Sequence, residues 1–172
     1  MEGRVGLNIV LVEPEIPQNT GNIARTCAAL GATLHLVHPL GFSLSEKHLR
    51  RAGLDYWPLL DLVEWRDSTS FFQETEGKAR YYFSTKATRP YTAIAYPSEC
   101  YLIFGKETTG LDADLLSGVA DQAIRIPMKR SIRSLNLSNT VAIAAYEWER
   151  QHTFCGLQTE GALQLVGTKE HV

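Results

Sequence analysis

No two cysteines of this chain stand close enough to make a CxxC pair: Cys27, Cys100 and Cys155 are odd in number and widely spaced. That argues against both a disulfide framework and a zinc site, and it points to a reducing, cytoplasmic setting. No apolar run approaches the length of about 20 residues that a membrane-spanning helix needs. The N-terminus has no apolar stretch behind a charged region, so neither export nor insertion is expected. Positive charge is not in excess either, with 17 Lys and Arg against 19 Asp and Glu, a net charge of -2 and a pI near 6.2. Any contact with RNA must therefore come from local patches rather than from the overall field. Several catalytic signatures are missing as well. There is no GxGxxG for a dinucleotide, no HExxH, no GxSxG and no paired carboxylate spacing that stands out, and no metal is expected. Gly105 to Gly110 has the GxxxxG spacing of a phosphate loop, but it continues Leu111-Asp112, so the lysine and the magnesium-binding hydroxyl of an NTPase are absent.

What is present is an ordinary globular composition, 44% hydrophobic and 21% charged over 172 residues, enough for one substantial core. No internal repeat or composition shift marks a second domain, and we take residues 1–152 as one domain and 153–172 as a polar, irregular, poorly ordered tail. Leu7 to Val12 reads as a strand buried on both faces. A break at Glu13-Pro14-Glu15-Ile16-Pro17 precedes a helix that starts at Asn19 or Thr20 and closes at Gly31. Leu34 to Val37 is a second strand, whose His35 and the following His38 fall on opposite faces and read as separate core or surface histidines. Ser43-Leu44-Ser45-Glu46 resembles a capping box opening a short helix that ends at Gly53. Further strands are expected at Leu59 to Val63, Arg80 to Ser84, Tyr101 to Phe104 and Ala123 to Ile126. Helices are expected from Ser68 to Glu76, with Asp67 as cap, and from Asp112 to Ser117. Alternating strands and helices predict an α/β fold on a parallel sheet.

The stretch from Ile126 to Glu147 organises the rest. A strand stops at Pro127, a loop carries Lys129, Arg130 and Arg133, and from Leu137 the residues Val141, Ala144, Ala145 and Trp148 recur at helical spacing. Ser134 or Asn136 can cap that helix, and the same N-terminus can hold an anion or the polar edge of a ligand. A capped core helix alone would also explain the pattern, but a plain connector has no need of three positive charges. Open α/β sheets bind ligands in the loops after their strands, which here are Asn19 to Arg25, Gly105 to Leu111, and Ile126 to Asn136. Asn19, Arg25, Glu107, Ser134 and Asn136 are the polar residues expected to converge there. Arg25 lies among Ile23, Ala24, Cys27 and Ala28. A buried Arg25–Glu107 pair tying two loops together is as good a reading of it as direct catalysis.

At these three loops the chain resembles a known family. Asn19-Thr20-Gly21-Asn22-Ile23-Ala24-Arg25, Phe104-Gly105-Lys106-Glu107-Thr108-Thr109-Gly110-Leu111, and Ile126-Pro127-Met128 through Arg133-Ser134-Leu135-Asn136-Leu137-Ser138-Asn139 are similar, in order, to the three motifs of the knotted SPOUT methyltransferases. They match the branch that methylates ribose 2′-hydroxyls of RNA. Glu13-Pro14-Glu15-Ile16-Pro17 and Arg50-Arg51-Ala52-Gly53-Leu54-Asp55-Tyr56 further resemble the single-domain members acting on the wobble nucleotide of tRNA. The similarity runs from about Asn8 to Gln151, with Asp112 where a proline is usual and no counterpart for the final segment.

The resemblance implies a C-terminal trefoil knot, S-adenosylmethionine as cofactor, a homodimer, and a tRNA substrate, with leucine isoacceptors the expected ones. It places the cofactor near Phe83, Gly105, Ile126, Met128, Ser134 and Leu135. It makes Arg25 the principal catalytic residue, with Asn19 orienting the ribose, Glu107 holding Arg25 or the loop, and Ser134 and Asn136 positioning the cofactor and the third loop. A guanidinium stays protonated in proteins, so Arg25 is expected to stabilise an alkoxide or grip a phosphate rather than take a proton. Lys47, Arg50, Arg51, Lys86, Arg89, Lys129, Arg130 and Arg133 are the candidate RNA contacts, each of which would equally serve as a solvated surface charge. Another tRNA position, ribosomal RNA, or a non-catalytic RNA- or nucleotide-binding module are the competing readings.

Overall fold

A computed structural model describes residues 6–44 and 58–161. The helix expected after Ser43, with Lys47, Arg50 and Arg51, and the chain from 162 onward lie outside the described residues. In chain order the elements are β1 (Leu7–Val12), α1 (Pro17–Leu30), β2 (Thr33–Val37), β3 (Asp61–Trp65), α2 (Ser68–Glu74), β4 (Arg80–Phe83), β5 (Arg89–Pro90), β6 (Cys100–Phe104), α3 (Ala113–Gly118), β7 (Ala123–Arg125) and α4 (Leu137–Gln151). The strands form one sheet in the order β3-β2-β1-β6-β4-β7-β5, and every pairing is parallel. The expected α/β parallel-sheet fold is what the chain adopts.

Strand alternation divides the core between the two faces. Ile9 and Leu11 of β1 and Cys100, Leu102 and Phe104 of β6 point toward α1 and α4, meeting Ile23, Ala24, Cys27, Val141, Ala144, Ala145 and Trp148. Val10 and Ile103 point the other way, into a second cluster with Val37, Phe71, Tyr82 and Leu111 under the short helices α2 and α3. Because β1 and β6 sit in mid-sheet and are covered on both sides, their sequences read as continuous apolar runs rather than as alternation.

Boundaries shifted where a local signal met a tertiary one. α1 begins at Pro17, two residues ahead of Asn19, and its N-cap Ile16 offers no side-chain hydrogen bond. Proline's fixed φ suits the first helical position. Gly31 closes α1 in the left-handed region at φ 67, as expected. β3 lies at Asp61–Trp65, slightly C-terminal of the expected run, because its register is set by pairing with Thr33–Val37. α2 stops at Glu74, and its expected cap Asp67 makes a full capping box with Ser70. Asp112 is the cap of α3 rather than its first residue, accepting from the N–H groups of Asp114 and Leu115. β7 ends at Arg125, before Ile126. The start of the expected irregular tail is ordered by turns: Phe154 N donates to Glu149 O and Leu157 N to Phe154 O.

His35 and His38 serve structure in different places. Trp65 Nε1 donates to His35 Nδ1 at 3.0 Å, which leaves His35 Nε2 to carry the proton toward Asn8 Oδ1, also 3.0 Å away. Burial lowers the His35 pKa to about 4, so the ring is neutral. His38 Nε2 instead meets Glu64 Oε2 at 2.9 Å.

Candidate active site

The C-terminal ends of β1, β4, β6 and β7 open onto a cavity of about 640 Å³, well within the range of small-molecule sites. Phe83 and Phe104 stack at one end, centroids 4.6 Å apart. The remaining wall comes from Ile16 and Asn19 after β1, Ser84 to Lys86 after β4, Gly105 to Leu111 after β6, and Ile126, Met128 and Arg133 to Leu137 after β7. The turn after β6 is tight: Gly110 N donates to Lys106 O at 2.9 Å. A Cβ on Gly105 would sit 2.2 Å from the Gly110 carbon and the Leu111 nitrogen, and Gly110 has a φ of 73, so both ends of the turn require glycine.

A hydrogen-bond chain ties the three loops together. Asn136 Oδ1 caps α4, accepting from Ser138 N at 2.9 Å and Asn139 N at 3.4 Å, which turns its Nδ2 toward Asn19 Oδ1 at 3.0 Å. Asn19 Nδ2 then donates to Glu107 Oε1 at 3.0 Å. The Glu107 carboxylate also accepts from Glu15 N at 2.8 Å and Ile16 N at 3.2 Å. The three groups that meet the Glu107 carboxylate here are donors, so both amides have a single workable orientation. Glu107 takes over at the head of α1 what the helix's own sequence does not supply, since α1 has no side-chain cap and no acidic residue in its first turn. Asn136, not Ser134, proves to be the cap of α4.

Of the residues expected here, Asn19, Phe83, Gly105, Glu107, Ile126, Met128, Ser134, Leu135 and Asn136 all line the cavity, as do Lys86 and Arg133. Arg25 does not. It is exposed on α1, on one stripe with Gln18, Asn22 and Ala29, and a buried pair with Glu107 is not what forms, because Glu107 is engaged by Glu15, Ile16 and Asn19. Its apolar sequence neighbours Ile23, Ala24 and Cys27 face the core while Arg25 itself points out, which the helical period explains. Lys129 and Arg130 are exposed in a turn closed by Ile132 N and Lys129 O. Arg89 is exposed too, with its guanidinium donating to Ala93 O at 2.8 Å. Sequence reasoning missed Lys106, Thr108, Thr109 and Thr140 as lining residues; only the position of the first three within the Gly105 to Gly110 turn could have indicated them.

Residues 6–146 match the profile of the SpoU rRNA Methylase family. The Escherichia coli K12 tRNA (cytidine(34)-2'-O)-methyltransferase is 46% identical, covering 87% of this chain and 96% of its own. A Geobacillus stearothermophilus protein, provisionally given that same name, is 50% identical over 89% of this chain and 99% of its own. A solved structure concerned with the 2-OH methylation of C/U34 on tRNA superposes with a TM-score of 0.82 at 44% identity, covering 89% of this chain and 94% of that one.

Proposed function

The chain belongs to the SpoU rRNA Methylase family, and from that premise we propose that it transfers the methyl group of S-adenosylmethionine to the ribose 2′-hydroxyl of nucleotide 34, the wobble position, of tRNA. The observation that carries this reading is the convergence of the three motif loops on one cavity, in a chain close to half identical to relatives named for that reaction over nearly their whole length. The catalytic unit is residues 1–152, with the remainder a tail, and the protein works in the cytoplasm. Among the described residues no helix is long and apolar enough to cross a membrane.

The residues present suit the donor. An apolar patch from Phe83, Phe104, Leu111, Ile126, Met128 and Leu135 adjoins polar groups from the Gly105 turn and from Ser134 and Asn136, a composition that fits a nucleoside joined to an amino acid. When bound, S-adenosylmethionine supplies a methyl group on a positively charged sulfur that departs as a neutral thioether. The protein's own part is placement and electrostatics. The ribose oxygen must lose its proton as it attacks in line. Arg25 remains protonated, so it stabilises the charge growing on that oxygen or grips the neighbouring phosphate, and water or phosphate accepts the proton. Asn19, Glu107 and Asn136 hold the loops in register, while Ser134 contributes to the cofactor wall.

Arg25 lies outside its own protomer's cavity, so the reading includes a homodimer in which α1 brings Arg25 to the partner subunit's site. The exposed stripe of α4 supports it, since Ile143 is 37% and Tyr146 50% exposed on one helical face, apolar surface that a second copy would cover. The same reading includes a C-terminal trefoil knot. In its support, α4 side chains fasten onto the chain before β6: Gln151 bonds Tyr96 N and Ile94 O, and Trp148 Nε1 donates to Pro97 O.

Labelled S-adenosylmethionine, unmodified total tRNA and mapping of the labelled nucleotide test the activity. The expected product carries label on the 2′-oxygen of nucleotide 34 and is lost in Arg25→Ala; label at another nucleotide, or none, overturns the assignment. Mixing Arg25→Ala with a cavity-filling Leu135→Trp, each inactive alone, should restore transfer if Arg25 acts across the dimer.

A further inference from the structure

The segment Glu13-Pro14-Glu15-Ile16 stands out in the sequence, yet the function assigned above gives its two carboxylates no part. The structure shows where they go. Glu15 reaches across to the turn after β6, where its Oε2 accepts from Thr108 N at 3.1 Å and its Oε1 from the Thr108 hydroxyl at 3.0 Å. Glu13 Oε2 meets Lys106 Nζ at 2.6 Å, and that bond with its charge holds the lysine above its ordinary pKa. The traffic runs the other way as well, since Glu107 accepts from the backbone N–H of Glu15. Two loops from strands that are neighbours in the sheet therefore clasp each other through side chains, each gripping the other's backbone.

Three features make this clasp more than a surface ornament. Lys106, Glu107, Thr108 and Thr109 line the cavity, so the turn that Glu15 holds is itself cavity wall. The Glu15 segment is anchored from behind: Gly41 N donates to Pro14 O at 2.9 Å, and a Cβ on Gly41 would meet Glu15 Cα at 2.7 Å. Glu13 is held at a φ of 52, a left-handed conformation that a non-glycine side chain keeps only when its surroundings impose it. Glu15 thus hangs from a fixed base and reaches a turn that is otherwise exposed at Thr108 and Thr109.

We propose that Glu15 is a positioning residue for the methyl donor: by gripping both the backbone N–H and the hydroxyl of Thr108, it presets the Gly105 to Gly110 turn in the shape that the cofactor binds. The proposal rests on that cavity being the S-adenosylmethionine site. A turn no longer preset must be ordered by the ligand, which weakens apparent affinity by the fraction of time it is misshapen and leaves turnover at saturation nearly unchanged. The chemistry of the grip also predicts its rescue. A glutamine at this position can accept from Thr108 N through its oxygen and donate from its amide nitrogen to the Thr108 hydroxyl, which is able to act as acceptor.

The test uses the full-length protein, with S-adenosylmethionine and S-adenosylhomocysteine binding measured by titration calorimetry and methyl transfer measured on tRNA. Glu15→Ala is expected to raise the KM and Kd for S-adenosylmethionine about tenfold, the scale of one lost charge-assisted hydrogen bond, with kcat within about threefold of wild type. Glu15→Gln should recover most of the affinity. Thr108→Ala, which keeps the backbone bond, should show a smaller loss that is not additive with Glu15→Ala. Wild-type affinity in Glu15→Ala, a glutamine variant as weak as the alanine one, or a loss confined to kcat would each overturn the proposal. Absence of cofactor binding by the wild-type protein would instead overturn the assignment of the cavity, on which the proposal stands.

Discussion

Glu107 is surrounded only by donors, and that determines what it can be replaced with. In Glu107→Gln one carboxylate oxygen becomes an NH₂ group facing the N–H of Glu15, or facing Ile16 N and Asn19 Nδ2. Rotating Asn19 does not help, because its oxygen would leave the Asn136 amide. A stranded donor costs about 1–3 kcal/mol, so Glu107→Gln should lower kcat/KM by at least tenfold despite matching in size, as steady-state methyl transfer will show. His35 behaves differently. Its folded pKa of about 4 lies below the ordinary 6.5, so the unfolded chain binds the proton first. The stability it contributes as a neutral ring is complete above about pH 6.5 and is lost as pH falls toward 4, to a limit of roughly 3 kcal/mol. Imidazole NMR titration together with melts from pH 7 to pH 4 will check this; an ordinary midpoint for His35 would contradict it.

At the scale of elements, α1 and α4 begin in complementary ways. Asn136 caps α4 with its own oxygen, whereas α1 relies on a carboxylate from another loop. The two jobs of Asn136 can be separated by substitution. Aspartate keeps an oxygen for Ser138 N and Asn139 N, and negative charge suits a helix N-terminus, but it puts an acceptor against Asn19 Oδ1. Asn136→Asp should therefore keep the helix cap and melt above Asn136→Ala while losing most methyl transfer. Asn136→Ala should lose activity and also about 1 kcal/mol of stability. Thermal melts read beside activity distinguish the two, and an Asp variant of normal activity would remove the Asn19–Asn136 bond from any functional account.

At the scale of the molecule, net charge is -2, so the proposed RNA contact calls for a local basic patch rather than the overall field. Lys86 and Arg133 line it, and Lys129 and Arg130 are exposed on the loop between Met128 and Arg133. With Arg89, that makes five of the candidate RNA contacts that fall among the described residues. If each neutralises one phosphate, raising salt from about 50 to 200 mM should weaken tRNA binding by on the order of a hundredfold or more. Filter binding across that range reads the slope directly, and a flat response would remove these residues from the interface.

The sequence by itself determined the parallel α/β class, the order of its main elements and the cavity residues Asn19, Glu107, Ser134 and Asn136, because buried central strands leave continuous apolar runs and loops after strands must gather on one edge; Phe83, Gly105, Ile126, Met128 and Leu135 were implied by the family resemblance. It also determined the left-handed stop at Gly31 and the Asp67 cap, which are local chemistry. Only the tertiary structure decided that Glu107 meets the N–H groups at the head of α1, and that Glu13 and Glu15 clasp the Gly105 to Gly110 turn. Those depend on contacts between residues some 90 positions apart in the chain, and no period or spacing in one segment carries the position of another. The head of α1 belongs with them: the N–H of its N-cap Ile16 is met by Glu107, a residue of a different loop.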